Sequence, residues 1–178
     1  MHLTAYFAAL AALLASLAGA GLSLYQAGRG DLKASPWLER LNLASAALLT
    51  VSCFILLRAL VARDFSFMYV AEHTDRALPV FYAVTAFWAG QAGSILFWQW
   101  MVALVGVFFQ LGPGYERLSE RTKIHFWLFF LPQSVFFLYV LTGVSNPFLQ
   151  AATPPADGQG LNPLLQNPGM IFHPPLLF

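Results

Sequence analysis

The sequence predicts an all-α, polytopic integral membrane protein with four transmembrane helices and the start of a fifth. Composition is the first reason. Of 178 residues, 58% are hydrophobic and 10% charged, whereas soluble domains carry about 25% charged residues. Mean hydropathy is +0.64. Arrangement is the second. The apolar residues fall into long runs, near residues 3–25, 41–62, 83–111 and 125–142, parted by short polar connections. About 20 such residues span a bilayer. The third is the last stretch, where an apolar run reopens behind Pro174-Pro175.

The first run, Leu3–Tyr25, is rich in Ala and Leu. Small residues at Ala18–Gly21 offer a signal-peptide reading. Against it, no Lys or Arg precedes the run, which outlasts the usual 7–15-residue signal core. It is expected to be helix one. Gln26–Arg40 is a polar connection, and Leu41–Ala62 is helix two. Asp64–Tyr82 mixes charges with aromatics and leads into helix three at 83–111. That run is about 40 Å long as a helix, against a hydrocarbon core of roughly 30 Å. It must tilt, break or emerge, with Trp88–Ser94 the place for irregularity. The small residues there also suit close approach by another helix. Gly112-Pro113-Gly114 ends it. Helix four follows at His125–Thr142 with Pro132 inside, where a kink is expected. A final connection, 145–172, leads to a fifth helix starting near 169–175.

Basic residues orient the chain. The first connection holds Arg29, Lys33 and Arg40, the third Arg117, Arg121 and Lys123, and the final one no Lys or Arg. The positive-inside rule then puts odd connections in the cytoplasm. The N-terminus and the final connection face outward.

Several function classes drop out. No basic patch with interleaved aromatics supports nucleic-acid binding. The single cysteine, Cys53, allows no intrachain disulfide and no CxxC motif, and reads as packing. There is no HExxH, P-loop, GxSxG or carboxylate pair. His125, beside the basic third connection, reads as interfacial. Aromatics reach 16%, which suits a lipid-facing surface and interfacial belts.

The chemistry-bearing stretch is the last, PPADGQGLNPLLQNPGMIFHPPLLF, Pro154–Phe178. Asp157-Gly158, Asn162-Pro163 and Asn167-Pro168 mark turns. Asn162, Gln166 and Asn167 are suited to holding the loop through side-chain bonds to backbone. His173 sits between Met170-Ile171-Phe172 and Pro174-Pro175. Proline biases its predecessor away from the right-handed helix and suits the first helical position. His173 is therefore at a helix start or inside a kink. An imidazole there reads either as an interfacial helix cap or as a metal ligand.

The string DGQGLNPLLQNPGMIFHPPLLF resembles the signature region of the CcmF family. These are membrane haem lyases of bacterial system I cytochrome c maturation, with NrfE-type paralogues. The Asp64–Tyr82 segment is similar to the family's aromatic strip, polar turn and Leu-Pro-aromatic element. Trp88, Gly93 and Ser94 match the family's Trp-Gly-x-x-Glu-Gly-Ser element. Ala89 replaces a Gly there, and Ala92 stands where many members have Glu, so any role for that carboxylate is absent.

The resemblance implies a function. His173 would be an axial ligand to the iron of a haem b among the helices. Trp88, Phe172 and Phe178 would line a haem cavity or serve as packing. The reaction would join haem vinyl groups to the CxxCH thiols of apocytochrome c. It would take place on the periplasmic side of the bacterial inner membrane, with the N-terminus periplasmic. Partners would be a haem chaperone and the thiol-handling membrane subunits of the maturation complex. The second haem ligand and the family's tryptophan-rich motif lie beyond Phe178. The chain is thus expected to be a fragment or one piece of a split protein. Two alternatives stand beside this reading. One is a non-catalytic haem- or quinone-binding electron-transfer subunit; the other is a haem transporter.

Overall fold

The computed structural model describes residues 1–30, 35–167, 169 and 171. Four helices are long and apolar enough to cross a membrane: α1 (His2–Gly28), α2 (Pro36–Ala62), α5 (Gln91–Leu111) and α7 (Glu120–Thr142). Three short helices lie between them, α3 (Met68–His73), α4 (Val80–Thr85) and α6 (Pro113–Glu116). Among the described residues there is no strand, only an isolated antiparallel bridge between Phe67 and Gln150.

Capping chemistry sets helix starts that apolar runs alone do not. Helix α2 begins at Pro36, five residues before its apolar run, because Ser35 caps it and Pro36 fits the first position. Helix α7 begins at Glu120 because Ser119 accepts the Thr122 N–H. The 83–111 run is not one helix. It divides into α4, a 3-10 turn at Ala86–Trp88, a break at Ala89-Gly90, and α5. Alone, the 21 residues of α5 reach about 31 Å, enough to span.

The four long helices close into a ring, with α1 between α2 and α7, and α5 joining α2 to α7. The seam of α1 explains this. Beside Leu13 and Ala20, its buried residues form a stripe of small ones: Ala5, Ala9, Ala12, Ser16, Gly19 and Ser23. They alternate four and three apart, which keeps one stripe facing the partners. Without larger side chains the backbones come close. Ser52 then donates to the Ala5 carbonyl at 2.8 Å, and Ser45 to Ala12 at 3.1 Å. On the other side Gly19 faces Leu131 of α7, where an added Cβ would meet Cδ1 at 2.9 Å. Cys53 is fully buried in this core and unpaired.

The bundle has two distinct ends. At the basic end, Trp127 donates to the Tyr115 hydroxyl at 2.7 Å, and that hydroxyl donates to Glu39 at 2.8 Å. Asn42 bonds Gln110, and Gln110 bonds the Glu39 carbonyl. Four helices are thereby tied together. The opposite end is capped by residues 63–79 and by the connection after α7.

Candidate functional site

The site is built where that final connection meets α3 and the break before α5. Polar backbone at a break needs partners when water is scarce. Tyr69 of α3 supplies them. Its hydroxyl lies 3.0 Å from the Ala86 carbonyl and 3.2 Å from that of Phe87, and accepts the Gly90 N–H at 3.0 Å. Ser94 donates to the Trp88 carbonyl at 2.7 Å. The break is thus closed by two side chains. Burial pushes the Tyr69 phenol well above its ordinary range; the Gly90 N–H opposes this and the Glu72 charge adds to it.

The small residues of Trp88–Ser94 do let another helix approach closely, and among the described residues that helix is the short α3. A Cβ on Gly93 would lie 2.0 Å from the Phe87 carbonyl oxygen and 2.2 Å from the Tyr69 hydroxyl. A Cβ on Gly90 would lie 2.3 Å from His73 Nε2. The expected helix-packing face is a seat for α3.

Onto α3 docks the connection. Gln159 N–H donates to Ala71 and Gly160 N–H to Thr74, at 2.8 and 3.1 Å. Asp157 accepts the Arg76 and Gly158 N–H groups at 2.9 and 2.8 Å. Gly158 passes so close to α3 that a Cβ would lie 1.9 Å from the Thr74 carbonyl oxygen. Gly160 has φ +82°, a conformation that favours glycine. Asn162, Asn167 and Gln166 each bond local backbone: to Leu164 N–H, Gly169 N–H and the Leu161 carbonyl, at 3.0, 2.9 and 3.1 Å.

Between the connection and α3 lies a cavity of about 380 Å³, lined by Glu72, His73, Ala89, Gly160, Asn162 and Leu165 among others. His73 Nδ1 is 2.9 Å from the Tyr69 carbonyl, so it carries the proton in that bond. The imidazole stacks on Tyr69 at 4.2 Å. Nearby, His2 Nε2 lies 2.9 Å from Ser66 Oγ, whose hydroxyl donates to Asp64. Its Nδ1 is buried without a partner. Among the described residues no three His, Cys, Asp or Glu side chains group to hold a metal ion.

Of the residues singled out from sequence, His173, Phe172 and Phe178 lie outside the described residues, as does the expected fifth helix beyond Ile171. Trp88 is described. It is half-buried, its ring 5.3 Å from Phe97, and its indole N–H donates to the Ile171 carbonyl at 3.0 Å. Trp88 therefore anchors the chain two residues before His173. His125 lies at the basic end, exposed, its Nδ1 bonded to the Arg121 carbonyl. Sequence reasoning missed Tyr69, Glu72 and His73 as parts of the site. The aromatic strip flagged the segment but no single position in it.

No family model matches the chain. It is similar to cytochrome c-type biogenesis protein CcmF of Escherichia coli strain K12, 35% identical over 162 residues, covering 87% of this chain and 24% of that protein. It is similar to NrfE of Haemophilus influenzae, 38% identical over 130 residues, covering 72% and 20%. It matches ccl1 of Rhodobacter capsulatus, 34% identical over 178 residues, covering 98% and 26%. Among solved structures it resembles the cytochrome c haem lyase CcmF, with TM-score 0.71 and 26% identity, over 83% of this chain and 24% of that one. The chain spans about a quarter of the length of these relatives.

Proposed function

From the membership of this chain in the CcmF/NrfE family of cytochrome c-type biogenesis proteins, we propose that it forms one face of a membrane haem lyase. It presents His173 as an axial ligand to the iron of a b-type haem at the outer end of the helices. The lyase attaches haem covalently to apocytochrome c on the periplasmic side of the bacterial inner membrane, and the N-terminus is periplasmic. A haem chaperone and thiol-handling membrane subunits are its partners.

The observation that carries this reading is the Trp88–Ile171 bond. It holds the backbone at Ile171, two residues before His173 in the sequence, at the end of the bundle away from Arg29, Arg40, Arg117 and Lys123. A haem needs an apolar slot and an imidazole. Toward the first requirement, Trp88 and its neighbour Phe97 put two aromatic rings at this end, with the Trp88 indole N–H on the Ile171 carbonyl. The imidazole is assigned to His173 by its match to the family signature. Of the other histidines, His2 has one nitrogen bonded to Ser66 and the other buried, His73 has Nδ1 on the Tyr69 carbonyl and Nε2 against Gly90, and His125 lies at the other end. When bound, haem supplies the vinyl groups that take the cysteine thiols. The protein's own work is to hold the iron, exclude water with Trp88 and Phe97, and keep the connection rigid through Asp157, Gly158 and Asn162.

The test is a dithionite-reduced visible spectrum of the chain, joined to or co-expressed with the remainder of the family fold, beside His173→Ala. The expected result is a b-type spectrum lost or strongly shifted in the variant, with membrane insertion intact. Unchanged haem content and spectrum would move the ligand elsewhere.

A further inference from the structure

Three adjoining hollows run along the outside of the α5/α7 seam, of about 450, 520 and 300 Å³. The first two share Phe130 and Gln133, and the last two share Trp98. They form one groove from the His125 end of α7 to Ser94 at the start of α5. Its walls are apolar and open, with Met101 43% and Phe129 75% exposed.

Gln133 does not suit a lipid-facing wall. It is exposed on α7, thirteen residues after Glu120 and nine before Thr142. At 1.5 Å per residue it lies roughly 20 and 14 Å from the two helix ends. An amide at that depth finds no hydrogen-bond partner in acyl chains, and leaving it bare is costly. Pro132 beside it has no N–H, so the Leu128 carbonyl loses its intrahelical donor. The groove therefore asks for a cover with a polar group at mid-membrane, which a helix supplies and a lipid tail does not.

We propose that the α5/α7 groove seats a further membrane-spanning helix of the same family fold, apolar except for a hydrogen-bonding side chain opposite Gln133. Two observations favour this source. About three quarters of the matched CcmF structure lies outside the stretch this chain covers, so the fold has more protein to pack. The backbone at Ile171 is tied to the residues just before the groove's outer end. Trp88 binds its carbonyl, and Ser94, which lines the groove, binds Trp88.

The experiment places a photoactivatable benzophenone side chain at Met101 or at Phe129. The chain is joined to or co-expressed with the remainder of the family fold, and illuminated in native membranes. Adducts are then mapped by mass spectrometry. The expected adduct is a peptide of the family fold from outside residues 1–178. Adducts to lipid only, to a different polypeptide or a second copy, or no adduct at either position would overturn the proposal. Gln133→Leu should lower the yield at Met101 severalfold, with Gln133→Asn restoring it. An unchanged yield in Gln133→Leu would remove the polar contact from the proposal.

Discussion

Single residues decide whether the capped end of the bundle holds together. Tyr69 is buried, and one hydroxyl serves the Ala86 and Phe87 carbonyls and the Gly90 N–H. Tyr69→Phe keeps the ring and strands those groups. A loss of about 2–3 kcal/mol is expected. It is read as a lower melting temperature in detergent and faster hydrogen exchange at the Gly90 amide. Gly158 tests the docking of the connection. In Gly158→Ala the new methyl meets the Thr74 oxygen at 1.9 Å, and carbonyls of α3 cannot step aside. We expect a cost of about 2 kcal/mol or more and new protease cleavage between Phe148 and Leu161. A variant as resistant as the parent would mean that the connection does not rest on α3.

At the scale of elements, close helix contact comes from small residues and the ends are fixed by polar clusters. The basic-end cluster gives a pH prediction. Burial, first, and then the Glu39 and Glu120 charges push the Tyr115 phenol above its ordinary value of 10.0, with the Trp127 bond opposing. The folded state thus favours the neutral phenol. That stability is complete below pH 10 and is lost as pH rises from 10 toward the folded value. Thermal melts in detergent should fall above pH 10. Tyr115→Phe should be less stable at pH 8, having lost the Trp127 and Glu39 bonds, but should show a flatter alkaline limb. Parallel limbs in the two proteins would contradict this. Some of these elements were legible in the chain itself. Hydropathy outlined four spans, because a spanning helix must be apolar over its own length. The extra turns at the starts of α2 and α7 were not, since Ser35 and Ser119 act by local hydrogen bonds that hydropathy ignores.

For the whole molecule the question is orientation. The ring of four helices puts both basic connections at one end and the docked connection at the other. Cysteine labelling tests which faces outward. With an impermeant maleimide on intact cells or spheroplasts, exposed Thr153→Cys should react from outside. Exposed Arg117→Cys should react only after the membrane is opened. The reverse pattern would invert the topology and remove His173 from the periplasmic side. Native Cys53 is fully buried and should stay silent.

The sequence by itself determined the class, the number of described spans and the family. Apolar length is a local property, and the DGQGLNPLLQNPG string carries side chains that bond their own loop, such as Asn162 and Asn167. Only the tertiary structure decided what Tyr69, His73 and Gly158 do. Each acts on a residue distant in the chain: Tyr69 on Gly90, His73 against the same glycine, Gly158 on Thr74. Nothing in local composition encodes such a pairing. The same holds for Gln133, one more polar residue in the sequence, which became informative only when folding left its amide exposed on the open side of the α5/α7 seam.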